Sequence, residues 1–251
     1  ARVQPSYPAR VGNEVRTVAD LVEYEKLACR EGTDKSLVLI GLACYAGKGA
    51  TWHNRLGEEW SVERILKEEL EQPVVGAPWG GTQRLMGLSY AVRRRAERKQ
   101  PMDGQYLRAR DYVARFHEHA LTLQNENGSW SEQYLAARGA GRDPAAVLAS
   151  SGRILEWLAF SLPEERLDEP GMVRAVHFVN QMLSTGRYSQ NVKALRTEEI
   201  GAVMHSLAGL RYYDDRYFKS ADPPAASPAV QPGPAPAAPS AARPARVGAP
   251  R

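Results

Sequence analysis

Residues 150–160 read SSGRILEWLAF: small residues at the start, then Ile154, Leu155 and Leu158 at the spacing of one helix face. Three other stretches share this plan, TDKSLVLIGLACY (33–45), GGTQRLMGLSY (80–90) and EEIGAVMHSLAGL (198–210). Each turns apolar toward its C-terminal half. Successive copies are separated by about 45 to 70 residues, in or just above the range of helix-pair repeats.

Each copy follows a helix-like segment of its own. Thr17-Val-Ala-Asp20 is a capping-box variant before Leu21, Tyr24 and Leu27, and Thr33-Asp34 precedes the second helix of that pair. Ser61 caps Val62, Ile65, Leu66 and Leu70, after which Pro73 and Pro78 break the chain. Asp103 starts Tyr106, Val113, His117, Ala120 and Leu121, and a short segment around Tyr134 precedes Pro144, which opens the repeat copy. Pro170 leads Val173, Val176, Val179 and Leu183, and Thr197 leads the last copy. No alternating strand pattern stands out. The expectation is an all-α fold of four helix hairpins. Such units bury their faces only by stacking, so a ring or arc lined by the second helices satisfies the pattern, with an open superhelix as the alternative.

Residues 1–16, with Pro5, Pro8 and Gly12, read as an extended lead-in, and 17–219 as the helical domain. From Ser220 to Arg251 there are nine prolines, eleven alanines, one acid and no aromatic residue, so 220–251 reads as a disordered tail. The 251 residues are 43% hydrophobic and 25% charged, ordinary values for a chain with a real core. Apolar runs are short, as in residues 37–45, and fall far below the roughly 20 residues of a membrane span. The chain opens at Ala1, so a preceding segment is expected to be missing, and a soluble cytoplasmic and an exported setting both stay open. Cys29 and Cys44 sit inside apolar helical patterns and read as small buried hydrophobes. The net charge of +4 is concentrated in Arg93, Arg94, Arg95, Arg98 and Lys99 and in the tail arginines. A basic run at a helix end complements the helix dipole, and without a recognition-helix pattern no nucleic-acid partner is expected.

Gln124-Asn-Glu-Asn-Gly128-Ser-Trp130 resembles the Q-x3-G-x-W core repeated in squalene and oxidosqualene cyclases and shared loosely by protein prenyltransferase beta subunits. The stretch Trp52 to Glu58 (W-x-N-R-x-G-E) and the helix start Gly80 to Thr82 are similar to uncharacterised bacterial proteins related to that superfamily. The resemblance implies an α/α toroid in which the Gln amide bonds backbone at a neighbouring helix start and the Trp stacks on it. A closed toroid of this type has six pairs. Four pairs therefore imply a partial toroid, or a piece of a longer chain supplying further repeats. The resemblance also implies that Gln83, Arg84, Arg153, Glu156, Glu198, Glu199 and His205 converge with Trp79 at the mouth of an inner cavity.

The superfamily's known chemistries lack their signatures here. Protonation of an alkene needs D-x-D-D, and Tyr212-Tyr213-Asp214-Asp215 lacks the first Asp. Diphosphate ionisation needs D-D-x-x-D, and Asp214-Asp215-Arg216-Tyr217-Phe218 ends in Phe. Neither cysteine has an Asp and His at zinc-ligand spacing, and His117 and His119 lie about 200° apart on a helix, with His117 inward, so no metal or other cofactor is expected. Gly47-Lys48-Gly49 lacks the upstream glycine and the following Ser or Thr of a phosphate loop. Two readings stay open. One is a noncatalytic binding or scaffold module for a small molecule or protein partner. The other is an enzyme acting on an isoprenoid or glycan-like chain, with Glu156 or Glu199 as acid/base, Arg153 as anion or carbonyl stabiliser and Trp79, Gln83, Arg84 and His205 holding substrate. Against both stands a purely structural role, in which Arg153 and Glu156 pair with each other and Trp79 and Trp157 are packing residues.

Overall fold

The computed structural model describes residues 3–185, 188 and 195–218, and the expected tail at 220–251 lies outside them. The described part is mostly helical: α1 (Val18–Ala28), α2 (Ser36–Tyr45), α3 (Val62–Glu71), α4 (Thr82–Glu97), α5 (Gly104–Leu123), α6 (Pro144–Ser161), α7 (Pro170–Ser184) and α8 (Thr197–Tyr217). The helix starts follow local chemistry. Thr17 and Asp20 exchange side chain and backbone hydrogen bonds in a capping box, Ser61 accepts from the amide of Arg64, and Pro144 and Pro170 occupy first-turn positions.

Two short hairpins correct the strand-free expectation. β1 (Pro8–Val11) pairs antiparallel with β2 (Glu14–Thr17), so the lead-in doubles back instead of extending. Its two-residue turn is Gly12-Asn13, with Gly12 at φ 61°, a glycine-first hairpin turn. β3 (Thr51–His53) pairs with β4 (Glu59–Ser61), and Trp52 sits opposite Trp60. The side chain of Asn54 organises the loop between them by accepting from the amides of Leu56 and Glu58 and donating to the Cys29 carbonyl. Trp60 is buried under the Arg64 guanidinium, 4.1 Å from its ring centre.

The second helices pack in sequence: α2 on α4, α4 on α6, and α6 on α8. The first helices cover this row, α1 against α2, α3 and α5 against α4, and α7 against α6 and α8. Two of the contacts are close enough to demand small residues. A Cβ on Gly87 of α4 would stand 2.6 Å from the Ser36 carbonyl oxygen of α2. One on Gly209 of α8 would stand 2.9 Å from the backbone nitrogen of Glu156 on α6. Leu39, Leu85, Leu88, Ile154, Leu155, Trp157 and Leu158 are fully buried around the row, so Trp157 is a packing residue, its Nε1–H donating to Ser89.

A buried polar network ties the first two pairs together. Glu69 of α3 accepts from the Lys35 amide at 2.7 Å, from Ser36 Oγ at 2.9 Å and from Arg84 Nε at 2.9 Å. It thereby caps the start of α2 and anchors α4 at once. A buried carboxylate persists in such a place because each oxygen is hydrogen-bonded and one partner is a cation.

Candidate functional site

Four second helices open onto one cleft of about 220 Å³. Its walls are Leu37 and Ile40 of α2, Thr82, Gln83, Met86 and Tyr90 of α4, Arg153 and Glu156 of α6, and His205 and Tyr212 of α8. The pattern follows from helix geometry: Gln83, Met86 and Tyr90, like His205 and Tyr212, recur at three, four and seven residues and share a face.

Charge in the cleft is arranged in two contacts. His205 Nδ1–H donates to Glu156 Oε2 at 2.6 Å, which orients the imidazole and leaves Nε2 as its second polar atom. The pairing expected between Arg153 and Glu156 is replaced by this one. Arg153 instead lies over the Trp79 ring, its Cζ 4.4 Å from the ring centre. Burial lowers the Arg153 pKa from its ordinary value, partly offset by Tyr134 and Glu156. The hydroxyls of Tyr90 and Tyr212 are 3.2 Å apart. Burial, and then the bond to Tyr212, push the Tyr90 phenol well above its usual range, so it stays protonated at neutral pH.

The mouth carries backbone strain. Trp79 and Tyr134 both adopt left-handed conformations, at φ 55° each, and Gly80 sits so close to Tyr134 that an added Cβ would be 2.2 Å from the tyrosine Cβ. Non-glycine residues hold such angles only where their surroundings over-determine them. Trp79 remains more than half exposed.

Of the residues expected at the mouth, Trp79, Gln83, Arg153, Glu156 and His205 are therefore brought together. Arg84, Glu198 and Glu199 are not. Arg84 lies about 100° around α4 from Gln83 and points into the buried network with Glu69. Glu199 shares the buried ridge of α8 with Ala202, Ser206 and Gly209, and its carboxylate accepts from the Arg196 amide at 2.8 Å in the first turn. Glu198 is exposed beside Arg196. Tyr90 and Tyr212 were not anticipated, although each lies seven residues after an expected site residue.

The stretch Gln124 to Trp130 serves as a brace away from the cleft. The Gln124 amide donates to Gly128 O at 3.1 Å and to Gly171 O, in the first turn of α7, at 2.8 Å, while Arg174 donates to its oxygen. Gly128 has φ 90° and abuts the α7 backbone, where a Cβ would lie 2.2 Å from Arg174 O. Trp130 is fully buried and its Nε1–H donates to Ala120 O at 2.7 Å. Its own backbone is held by Ser150 and Ser151 at α6. His117 is buried and His119 exposed, with the His117 ring against Trp157.

Among the described residues no His, Cys, Asp and Glu side chains group as a set of metal ligands, and no helix is long and apolar enough to cross a membrane. No protein-family model, curated protein or solved structure matches the chain.

Proposed function

We propose that the chain is a noncatalytic binding module of the partial α/α toroid type, and that its inner cleft takes a small polyhydroxylated, saccharide-like molecule. The toroid reading is supported by the order of packing, in which each second helix touches the next and the first helices lie around them. The ligand reading rests on one observation: Gln83, Arg153, Glu156 and His205, contributed by three helices, converge on one cleft beside Leu37, Ile40 and Met86. Amide, guanidinium, carboxylate and imidazole supply fixed donors and acceptors for hydroxyl groups, and the aliphatic wall suits the C–H face of a sugar ring. Half of the lining residues are polar by type although most of the exposed wall is apolar, so an isoprenoid is the competing occupant.

Saturation-transfer NMR on the full chain tests this, with a panel of mono- and disaccharides and, separately, geranyl diphosphate. The expected result is saccharide signal that weakens several-fold in affinity for Gln83→Ala, as loss of a neutral hydrogen bond predicts, and about tenfold or more for Glu156→Gln, as loss of one to a charged group predicts. Signal from the isoprenoid alone, or saccharide binding indifferent to both substitutions, would overturn the reading.

The 2.6 Å contact between His205 and Glu156 favours a second reading, an enzyme in which Glu156 orients His205 as a general base toward bound water or substrate. Turnover of a bound saccharide that is lost in His205→Gln while binding persists would select it.

A further inference from the structure

The loop Gly47-Lys48-Gly49 and the basic end of α4, 50 residues apart in sequence, meet at a second cavity of about 140 Å³. Lys48, Arg94, Arg95 and Arg98 line it, with Thr51, Gln100 and Tyr106, and Glu63 is the one carboxylate among the lining residues. The four cations are differently occupied. Arg95 is committed to structure: it donates to Pro101 O and Asp103 and lies 4.3 Å over the Tyr106 ring. Arg94 shares Glu97 with Arg93 through its terminal nitrogen, but its Nε is buried with no acceptor among the described residues. Arg98 donates to the Cys44 carbonyl at the end of α2 and has no carboxylate partner among the described residues. Lys48, on an exposed loop, makes no hydrogen bond or ion pair among them.

We propose that this cavity is an oxyanion site, taking a phosphate monoester or a similar small tetrahedral oxyanion. A lysine and an arginine without carboxylate partners, beside a third guanidinium, raise the local potential. An anion with three or four oxygens gives Lys48 and Arg98 charge-assisted hydrogen bonds and places a counter-charge beside Arg94. The cavity, of about 140 Å³, has room for one such group with a few waters. Glu63 opposes the most highly charged anions and sets the limit on affinity. The site is distinct from the inner cleft, and the proposal does not depend on what the cleft binds.

The test is calorimetric titration of the full chain with inorganic phosphate and with glycerol 1-phosphate at about 0.05 M ionic strength, where exposed charges are weakly screened. A parallel arm uses phosphatidylcholine vesicles containing phosphatidic acid. Saturable binding of both soluble ligands is expected, weakened about tenfold by Lys48→Ala and abolished by adding Arg98→Gln. Glu63→Gln should tighten it several-fold, an effect that a merely structural basic cluster has no reason to show. Lys48→Ala removes an exposed side chain that makes no hydrogen bond or ion pair among the described residues, so its melting temperature should match that of the parent and loss of binding is then not loss of fold. Absence of saturable binding, indifference to Lys48→Ala, or association with the vesicles alone would overturn the assignment.

Discussion

Gly128→Ala probes the brace between the α5–α6 connection and α7. At φ 90° an L side chain is strained, at a cost of about 1 to 3 kcal/mol. The new Cβ would stand 2.2 Å from Arg174 O and 2.4 Å from its carbon, about 1.2 Å short of the 3.4 Å at which ordinary contact begins. The obstacle is helix backbone, not the end of a flexible side chain, so either the loop or α7 must give way, as in an overpacked core, for about 1 to 3 kcal/mol more. A shift of that size also opens the 2.8 Å bond from Gln124 to Gly171 O. The expected total is about 3 kcal/mol or more, a fall of roughly 6 to 12 °C in melting temperature for a chain this long. Urea melts followed by circular dichroism measure it, with Gly139→Ala as the control. Gly139 has nothing within 4 Å of an added Cβ, so that variant should stay within about 0.5 kcal/mol of the parent. A Gly128→Ala protein as stable as the control would refute the seating of this turn on α7.

Trp130→Ala, which empties a fully buried ring site, should cost about 3 kcal/mol or more in the same melts, and Gln124→Ala about 1 to 3 kcal/mol. Because both hold one loop, the double variant should lose less than the sum, and strict additivity would contradict a shared brace. On the second helices, Gly41→Ala meets nothing within 4 Å and should gain up to about 1 kcal/mol from helix propensity, whereas Gly87→Ala meets Ser36 O at 2.6 Å and should be net destabilising; equal effects would contradict the close approach of α2 and α4. Burial, with a smaller contribution from Arg166, pulls the His117 pKa down to about 4. The unfolded chain therefore takes up a proton between pH 6.5 and 4 that the folded chain refuses, so this contribution is complete above pH 6.5 and is lost as pH falls, by about 3 kcal/mol. Stability measured against pH should fall less steeply over that window in His117→Phe than in the parent, and parallel curves would contradict it.

The helix pairs were legible because their apolar positions keep helical spacing and their starts carry capping residues or prolines, from Thr17 and Ser61 to Pro144 and Pro170. The hairpins were not. Strands of three or four residues give too few positions for alternation to register, and the signals present were Gly12-Asn13 and the paired Trp52 and Trp60. Of the charged residues chosen by type, Glu156 and His205 line the cleft, whereas Arg84 and Glu199 do not. Buried charges are rare, so a charged residue on a helix reads as exposed, and only the partner reveals otherwise: Glu69 for Arg84, the first turn of α8 for Glu199. Tyr90 and Tyr212 were hidden for the opposite reason, since an aromatic at the end of an apolar run reads as core.

A crystallographic fragment screen on the full chain addresses the central claim, that the second helices build a ligand cleft. Hydroxyl- and amide-bearing fragments are expected between α4, α6 and α8, within hydrogen-bonding distance of Gln83, Arg153, Glu156 or His205. Fragments gathered elsewhere, with the cleft filled by its own side chains, would contradict it.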